Sequence, residues 1–217
     1  YKGRVGVFEL LLPDEAVRLV NLLNALAGAQ ISLTAHSNVT NGWVKGNYKC
    51  INEKLWDWWE PVKARVGVPE TPFRDMHDYV ARICDLPPIY VKRDGHPVLL
   101  TGEYARFSDY FGLDEAVGRT VDGARQTVQP SMEDVAVHNS CYWYTARISR
   151  YFTVENRVFD EQPKEALLAP AALTLGLLSA LPEAWEEVAG HDWTALRRAR
   201  EAACRHGMDW TGDGLTA

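Results

Sequence analysis

The chain has 217 residues, of which 47% are hydrophobic and 24% charged, so its composition is that of a folded globular protein and excludes extensive disorder. The formal net charge of −6 argues against a protein that coats nucleic acid, although it leaves room for a local basic face. Four widely spaced cysteines without a CxxC pair exclude a zinc site built on cysteines alone. No signal sequence opens the chain and no apolar run could span a bilayer, which predicts a cytoplasmic protein without a membrane segment.

The first part of the chain predicts a β-α-β-β succession, which favours an α+β fold. A buried strand is expected first, then a helix with Gly28 at its end, then a hairpin around Asn41-Gly42. The corresponding ranges are Val5–Leu12, Pro13–Gly28, Ile31–Thr40 and Trp43–Lys49. A Trp-rich stretch follows and predicts another helix, with apolar positions at Leu55, Trp58, Trp59 and Val62.

The middle of the chain predicts a helix, a hairpin and a second, shorter helix. Asp75 is suited to cap a helix that carries apolar residues to Ile83. The dipeptide Asp94-Gly95 predicts a two-residue turn between two strands. The segment Tyr104–Phe111 is expected to be helical and to end at Gly112.

The last part of the chain predicts helices. Ser131 with an acid three residues later resembles a capping box, and the helix is expected to reach Phe152. Ala166–Leu181 is apolar nearly all round, which indicates burial between other elements. Asp192 is suited to cap a last helix that Gly207 ends. We therefore expect a small mixed sheet with hairpins in an α+β region over residues 1–125 and a helical region over 126–217, packed as one unit.

The segment after the central hairpin carries the residue types of a phosphate site. Gly102 and Glu103 are expected to open a helix, where unpaired N–H groups and the helix dipole favour an anion. Thr101 and Arg106 would contact phosphate oxygens, with Lys92 as an electrostatic helper, and Glu103 would act as a base or hold Mg²⁺. The plainer interpretation is a surface hairpin whose helix begins with an acid.

This segment resembles the core motif of the ParB/sulfiredoxin superfamily. The resemblance rests on Pro87-Pro88-Ile89-Tyr90-Val91, on Asp94-Gly95 and on Val98-Leu99-Leu100-Thr101-Gly102-Glu103, within residues 74–121. The family's His and Arg after Gly-Glu are replaced by Tyr104 and Ala105, with Arg106 one place late. No cysteine lies beside the motif, which argues against a sulfiredoxin reductase.

The resemblance implies a nucleotide-binding phosphotransferase or nucleotide hydrolase that uses ATP or another nucleotide with Mg²⁺. Its substrate would be a nucleotide or DNA. Lys92-Arg93-Asp94-Gly95 also fits the KxDG motif of covalent nucleotidyltransferases, but their later motifs are absent and the Asp-Gly turn explains the pattern.

Two further patterns suggest other chemistry. The run His138–Tyr144 resembles the nucleophile box of papain-like proteases, which makes Cys141 a candidate hydrolase nucleophile with His191-Asp192 as base and orienting group. A buried structural cysteine is the alternative. His77-Asp78 and His191-Asp192 hint at a metal phosphohydrolase, but such dipeptides alone do not define a metal site.

Two groups of arginines suggest a surface for nucleic-acid phosphates. Arg197 and Arg198 lie on the last predicted helix, and Arg147 and Arg150 lie among aromatic residues on which bases could stack. A solvated charged helix face is the alternative for the first group. These arginines support a second hypothesis, a non-enzymatic module that binds nucleic acid or protein. The oligomeric state stays open.

Overall fold

The computed structural model describes residues 12–40, 43–44, 46–55, 57 and 60–209. Within them the fold is α+β, as the sequence predicts. The helices are α1 Pro13–Ala25, α2 Ala27–Thr34, α3 Met76–Cys84, α4 Phe107–Phe111, α5 Met132–Ser140, α6 Ala169–Ser179, α7 Leu181–Val188 and α8 Trp193–His206. The strands are β1 Val39–Thr40, β2 Trp43–Val44, β3 Val66–Gly67, β4 Tyr90–Arg93, β5 His96–Leu99, β6 Ala116–Arg119, β7 Arg125–Val128, β8 Trp143–Tyr144, β9 Ala146–Ile148 and β10 Val154–Asn156.

The central sheet is antiparallel with the strand order β4-β5-β6-β7. Its first hairpin is confirmed: Asp94 and Gly95 both have positive φ, 50° and 79°, as a two-residue turn of this kind requires. Where β6 crosses β5, a Cβ on Gly118 would lie 2.8 Å from the Leu99 carbonyl oxygen, so only glycine fits the strand there.

A buried ion pair ties this sheet to α5. The Asp134 carboxylate, 1% exposed, accepts hydrogen bonds from Arg93 at 2.7 Å and from the Tyr110 hydroxyl at 2.8 Å. Burial opposes the charge, but these donors outweigh it and lower the pKa of Asp134. The arginine of the Lys-Arg-Asp-Gly turn is therefore a structural residue.

The first long helix ends earlier than the sequence predicts. It breaks at Leu26 and continues as α2 to Thr34, so the strand predicted from Ile31 is largely helix. Gly28 does not end the helix. A Cβ at Gly28 would come within 3.0 Å of the Ala199 backbone, and the glycine therefore allows α2 to pack closely on α8.

The helix caps predicted from the sequence are present in the structure. The Asp75 side chain accepts from Asp78 N–H at 2.7 Å at the start of α3. Asp192 accepts from the N–H groups of Thr194 and Ala195 at the start of α8, and Gly207 ends that helix with φ +56°. The capping box at Ser131 is also present.

Helix α5 ends at Ser140, and the predicted continuation to Phe152 is wrong. The residues that follow form β8, β9 and β10, of which β9 and β10 pair antiparallel. Asn24 of α1, fully buried, fixes β9 against the helix. Its amide nitrogen donates to the Ala146 carbonyl at 3.0 Å, and its oxygen accepts from Ala146 N–H and the Thr145 hydroxyl. A fully satisfied buried amide of this kind specifies one register.

Helix α6 contradicts the prediction of burial. None of its residues is buried: Leu175 is 56% exposed, and Leu168, the residue before the helix, is 77% exposed. Among the described helices, none alone is long and apolar enough to cross a membrane. Two bent pairs, α1 with α2 and Lys164–Ser179 with α7, reach that length and composition only when taken together.

Several predicted features lie outside the described residues: most of the strand Val5–Leu12, the turn residues Asn41-Gly42, and Trp58 and Trp59. The strands beside that turn do pair, Thr40 opposite Trp43. Around the Trp-rich stretch, the described residues form short 3-10 helices instead of an α-helix. The division of the chain near residue 125 stays a prediction, and one hydrophobic cluster contains residues of both α1 and α8.

His138 predicts a pH dependence of stability. Its ring stacks on Phe107 at 4.1 Å, its Nε2–H donates to the Ile83 carbonyl, and burial lowers its pKa to about 4. Because the unfolded histidine binds a proton near pH 6.5 and the folded one does not, the free energy of unfolding should fall between pH 6.5 and 4, by about 3 kcal/mol at most. The free energy of unfolding, measured with urea at several pH values in this range, should depend less steeply on pH in His138→Gln than in the wild type. Equal slopes would contradict the assignment.

Gly67 predicts a steric requirement. It has φ +74°, and a Cβ there would lie 2.9 Å from the guanidinium carbon of buried Arg200. Gly67→Ala should therefore cost about 2 kcal/mol of stability, from backbone strain and displacement of the arginine. The matched control is Gly190→Ala, where nothing lies within 4 Å. Similar denaturation midpoints for the two variants would refute the requirement.

Candidate functional site

The predicted phosphate loop does not sit at a helix N-terminus. Gly102 lies in a turn with φ +81°, and α4 begins only at Phe107, with Arg106 as the extended residue before it. The prediction that Gly102-Glu103 opens a helix is therefore wrong. The reason is local: Gly102 adopts the left-handed conformation, which interrupts any helix at that point.

The side chains of that loop are engaged with neighbours. Glu103 pairs with Arg119 at 2.9 Å, and Arg106 pairs with Asp109 at 2.7 Å. The Thr101 hydroxyl donates to the Ile89 carbonyl at 3.1 Å. The roles assigned to these residues and to Gly102 stay predictions, and the dipole argument that supported them no longer applies.

Three other sequence candidates come together around one cavity. Lys92 of β4, Arg147 of β9 and Arg150 line a space of about 170 Å³ with Glu155 of β10. We call this the cationic pocket. The rest of its lining is mainly hydroxyl and amide groups, from Tyr90, Asn139, Ser140, Ser149 and Tyr151. With three cations against one carboxylate, the cationic pocket favours an anionic ligand.

Arg147 is the fixed member of the cationic pocket. Its Nε donates to Glu155 at 2.8 Å. Its Nη1 lies within hydrogen-bond distance of the carbonyls of Asn139, Ser140 and Tyr142, at 3.0, 2.9 and 2.8 Å. These carbonyls include the unpaired ones at the end of α5, where a cation is favoured by the helix dipole.

The other two cations are more accessible. Arg150 is exposed, lies 4.6 Å above the ring of Tyr151 and donates to its hydroxyl. The Lys92 side chain is exposed, and its ammonium group forms no hydrogen bond or ion pair with the described residues. The Asn139 side-chain oxygen is buried without a hydrogen-bond partner, while its amide nitrogen donates to the Ile148 carbonyl. The cationic pocket therefore combines one guanidinium held by several partners with two more exposed cations.

Cys141 lies at the end of α5, not at its start, and is 3% exposed. Burial raises the pKa of its thiol, so the dipole activation expected of a nucleophile is absent. Asp192, proposed to orient His191, instead caps α8. In the part of the chain that the structure describes, no three His, Cys, Asp or Glu residues form a group that could hold a metal ion.

Arg197 and Arg198 of α8 both line another cavity, which shares no lining residue with the cationic pocket. Next to them, Arg200 is buried and pairs with Asp57 at 3.0 Å and Glu53 at 3.3 Å. Burial opposes its charge, but the two carboxylates outweigh burial and raise the pKa of Arg200. Sequence reasoning missed this cluster because the partners lie far apart in the chain. The arginine pattern on α8 was its only visible signal.

Comparison with known proteins gives one family. The model of the glutamate-cysteine ligase family 2 (GCS2) matches residues 9–216. A search of curated proteins finds no match. The match includes the whole segment 74–121 and overturns its resemblance to the ParB/sulfiredoxin superfamily.

The predicted functions are corrected with it. All three predictions are wrong: a phosphotransferase or nucleotide hydrolase, a nucleic-acid or protein binding module, and a hydrolase using Cys141. The reason is that this family comprises ATP-dependent ligases that join a carboxylate to an amine. The predicted binding of DNA is wrong for the same reason. The expected use of ATP with Mg²⁺ holds at the level of the family. With nearly all of its residues matched, the chain belongs to the glutamate-cysteine ligase family 2.

Proposed function

We propose that this protein is an ATP-dependent carboxylate–amine ligase, with the cationic pocket as the place where the anionic reacting groups bind. In such a reaction a carboxylate oxygen attacks the γ-phosphorus of ATP and the bond to ADP breaks. An amine nitrogen then attacks the acyl carbon, phosphate leaves and the amine loses a proton. The family name suggests glutamate as the acid and cysteine as the amine.

The observation that carries this proposal is the charge and geometry of the cationic pocket. The carboxylate, the transferred phosphoryl group and the departing phosphate are all anions, and positioned cations stabilise the charge on them. Arg147 is held in one orientation by Glu155 and by three carbonyls. A guanidinium fixed in advance needs no reorganisation when the reaction begins.

Glu155 gives the cationic pocket a group for the amine. It is the one carboxylate among the residues that line this cavity, and its side chain is 37% exposed. A carboxylate at this position would attract the ammonium form of the second substrate before it loses its proton. Lys92 and Arg150 on the same cavity would bind the anionic groups.

Magnesium enters this proposal as part of the substrate Mg–ATP. The described residues include no group of three side chains that could bind a metal ion, and the single carboxylate of Glu155 does not form a metal site by itself. Mg²⁺ is commonly held by phosphates and water with only one or two carboxylates. No residue of this chain is therefore assigned to hold the ion by itself.

Formation of an amide tests the proposal. With Mg–ATP, glutamate and cysteine, ADP release should require both amino acids, and hydroxylamine in place of cysteine should trap the activated acid as a hydroxamate. Arg150→Ala should lower kcat/KM at least about tenfold by removing a charge-assisted contact. The exposed Arg125→Ala on β7 serves as control and should be unchanged. ADP release that is independent of the amine, with no amide or hydroxamate formed, would refute the ligase assignment.

The difference between the two arginines can also be tested by stability. Arg147→Lys keeps the charge but cannot reach Glu155 and three carbonyls at once, so it should lose about 2 kcal/mol. Arg150→Lys is the matched variant, and because Arg150 is exposed it should change stability by less than about 0.5 kcal/mol. Equal losses, measured by urea unfolding, would mean that Arg147 does not hold the end of α5.

A further inference from the structure

The turn between β9 and β10 holds a strained residue at the edge of the cationic pocket. In the part of the chain that the structure describes, Asp94 and Phe152 are the two residues other than glycine with positive φ, at 50° and 57°. Asp94 belongs to an Asp-Gly turn, where a short polar side chain is tolerated. A phenylalanine is strained there, because its Cβ comes close to the following carbonyl oxygen in the left-handed region.

The hydrogen bonds of the turn enforce this conformation. Phe152 N–H donates to the Ser149 carbonyl at 3.0 Å, and Ser149 N–H donates to the Thr153 carbonyl at 2.8 Å. This is the pattern of a three-residue hairpin loop, whose last residue is left-handed and is usually glycine. The hydroxyls of Ser149 and Thr153, 2.6 Å apart, add a further link across the turn. The turn therefore keeps Phe152 in a conformation that glycine would adopt without strain.

Packing in the core does not account for the phenylalanine. The Phe152 ring belongs to none of the three hydrophobic clusters of the described residues, and the residue is 40% exposed. Strain that persists at a residue outside the core indicates a functional constraint. Because glycine would satisfy the backbone of this turn, the feature to be explained is the side chain.

The three residues before Phe152 all line the cationic pocket. They are Ser149, Arg150 and Tyr151. Phe152 is not itself among the lining residues, but with Tyr151, which is 56% exposed, it places two exposed aromatic side chains at the rim. If Phe152 left the left-handed region its strain would be relieved, which offsets part of the cost of rearranging the turn over a bound ligand.

The proposed ligase reaction needs a shield at this place. Once the acid is activated as an acyl phosphate, water can attack the acyl carbon instead of the amine. The bond to phosphate then breaks, and the free acid, phosphate and a proton are released, so that ATP is consumed without an amide. Closing a site against water prevents this side reaction. The charged groups of the cationic pocket attract water, whereas an aromatic ring at its rim can exclude it.

We propose that Phe152 sets the selectivity of this site for amine over water, by bringing its ring over the cationic pocket when the acid is bound. The proposal rests on the proposed function and adds to it a residue that takes no part in the chemical steps. Arg150, two positions earlier in the same turn, would meet the anion as the ring covers it. The strained conformation is the open form of the turn.

The amount of amide formed per ADP released tests this role. With Mg–ATP, glutamate and cysteine, the wild type should form nearly as much amide as ADP. Phe152→Ala should continue to release ADP but lower the ratio of amide to ADP at least about fivefold, because water then competes with the amine. Phe152→Tyr keeps the ring and should keep the ratio. The matched control is Asp94→Gly, at the other left-handed position and outside the lining of the cationic pocket.

Stability tests the strain separately. Phe152→Gly and Phe152→Ala both remove the ring, but only the glycine is free of strain in the left-handed region. Phe152→Gly should therefore have the higher urea midpoint of the two, although both variants lose amide relative to ADP. Equal midpoints would contradict the strain and with it the identification of the open form.

The outcomes separate this inference from the ligase assignment. An unchanged ratio of amide to ADP in Phe152→Ala would overturn the shield and leave the ligase function standing. A lowered rate with an unchanged ratio would do the same, because a purely structural role slows both products together. Loss of the ratio in Phe152→Tyr as well would overturn the role of the ring. A wild-type protein that releases ADP but forms no amide or hydroxamate would refute the ligase, and the shield with it.

Discussion

One guanidinium organises the region around the candidate site. Arg147 gathers three carbonyls at and beyond the end of α5 and pairs with Glu155 on the neighbouring strand. A helix end buried without partners would be unstable, and here a residue from the following strand supplies them. The same contacts satisfy the carbonyls at the end of α5, link β9 to β10 and form part of the wall of the cationic pocket. The proposed chemistry therefore depends on a contact that is first of all structural.

The sequence was most informative where structure is decided locally. The caps at Asp75, Ser131 and Asp192 and the turn at Asp94-Gly95 involve residues within a few positions of one another, and the structure contains all of them. Such signals do not depend on the rest of the fold. The α+β class was predicted correctly, although it was inferred from a β-α-β-β succession whose strand from Ile31 is largely helix.

The predictions failed where distant residues decide the outcome. Arg147, from a strand beyond α5, donates to the last carbonyls of that helix, and Gly28 allows α2 to pack closely on α8. Neither cause is visible in a local window. The apolar composition of α6 indicated burial, yet none of its residues is fully buried and only part of the helix, at Leu177 and Leu178, packs against the core. The sequence pattern also predicted a helix that opens at Gly102-Glu103. Gly102 instead adopts the left-handed conformation, so a turn precedes α4.

The candidate site was only partly predictable. Lys92, Arg147 and Arg150 were each singled out, but for different ligands, and only the fold places them around one cavity. The ParB resemblance rested on a hairpin with an Asp-Gly turn, which many unrelated folds use. Buried Arg200 escaped because Asp57, its partner, lies in another part of the chain. When only the sequence is known, a cluster of charged residues on a helix predicts a solvent-exposed face, because ion-pair partners from distant parts of the chain cannot be seen.

The confinement of Arg147 has a thermodynamic consequence for any ligand that it binds. Its side chain is 13% exposed and already restricted to one orientation, so its conformational entropy is lost during folding, not during binding. Arg150 is exposed and, among the described residues, stacks on and hydrogen-bonds to the side chain of Tyr151 only, so it would lose more of that freedom on contact with a ligand. Two arginines on one cavity thus differ in the entropy of binding, although their charge is the same.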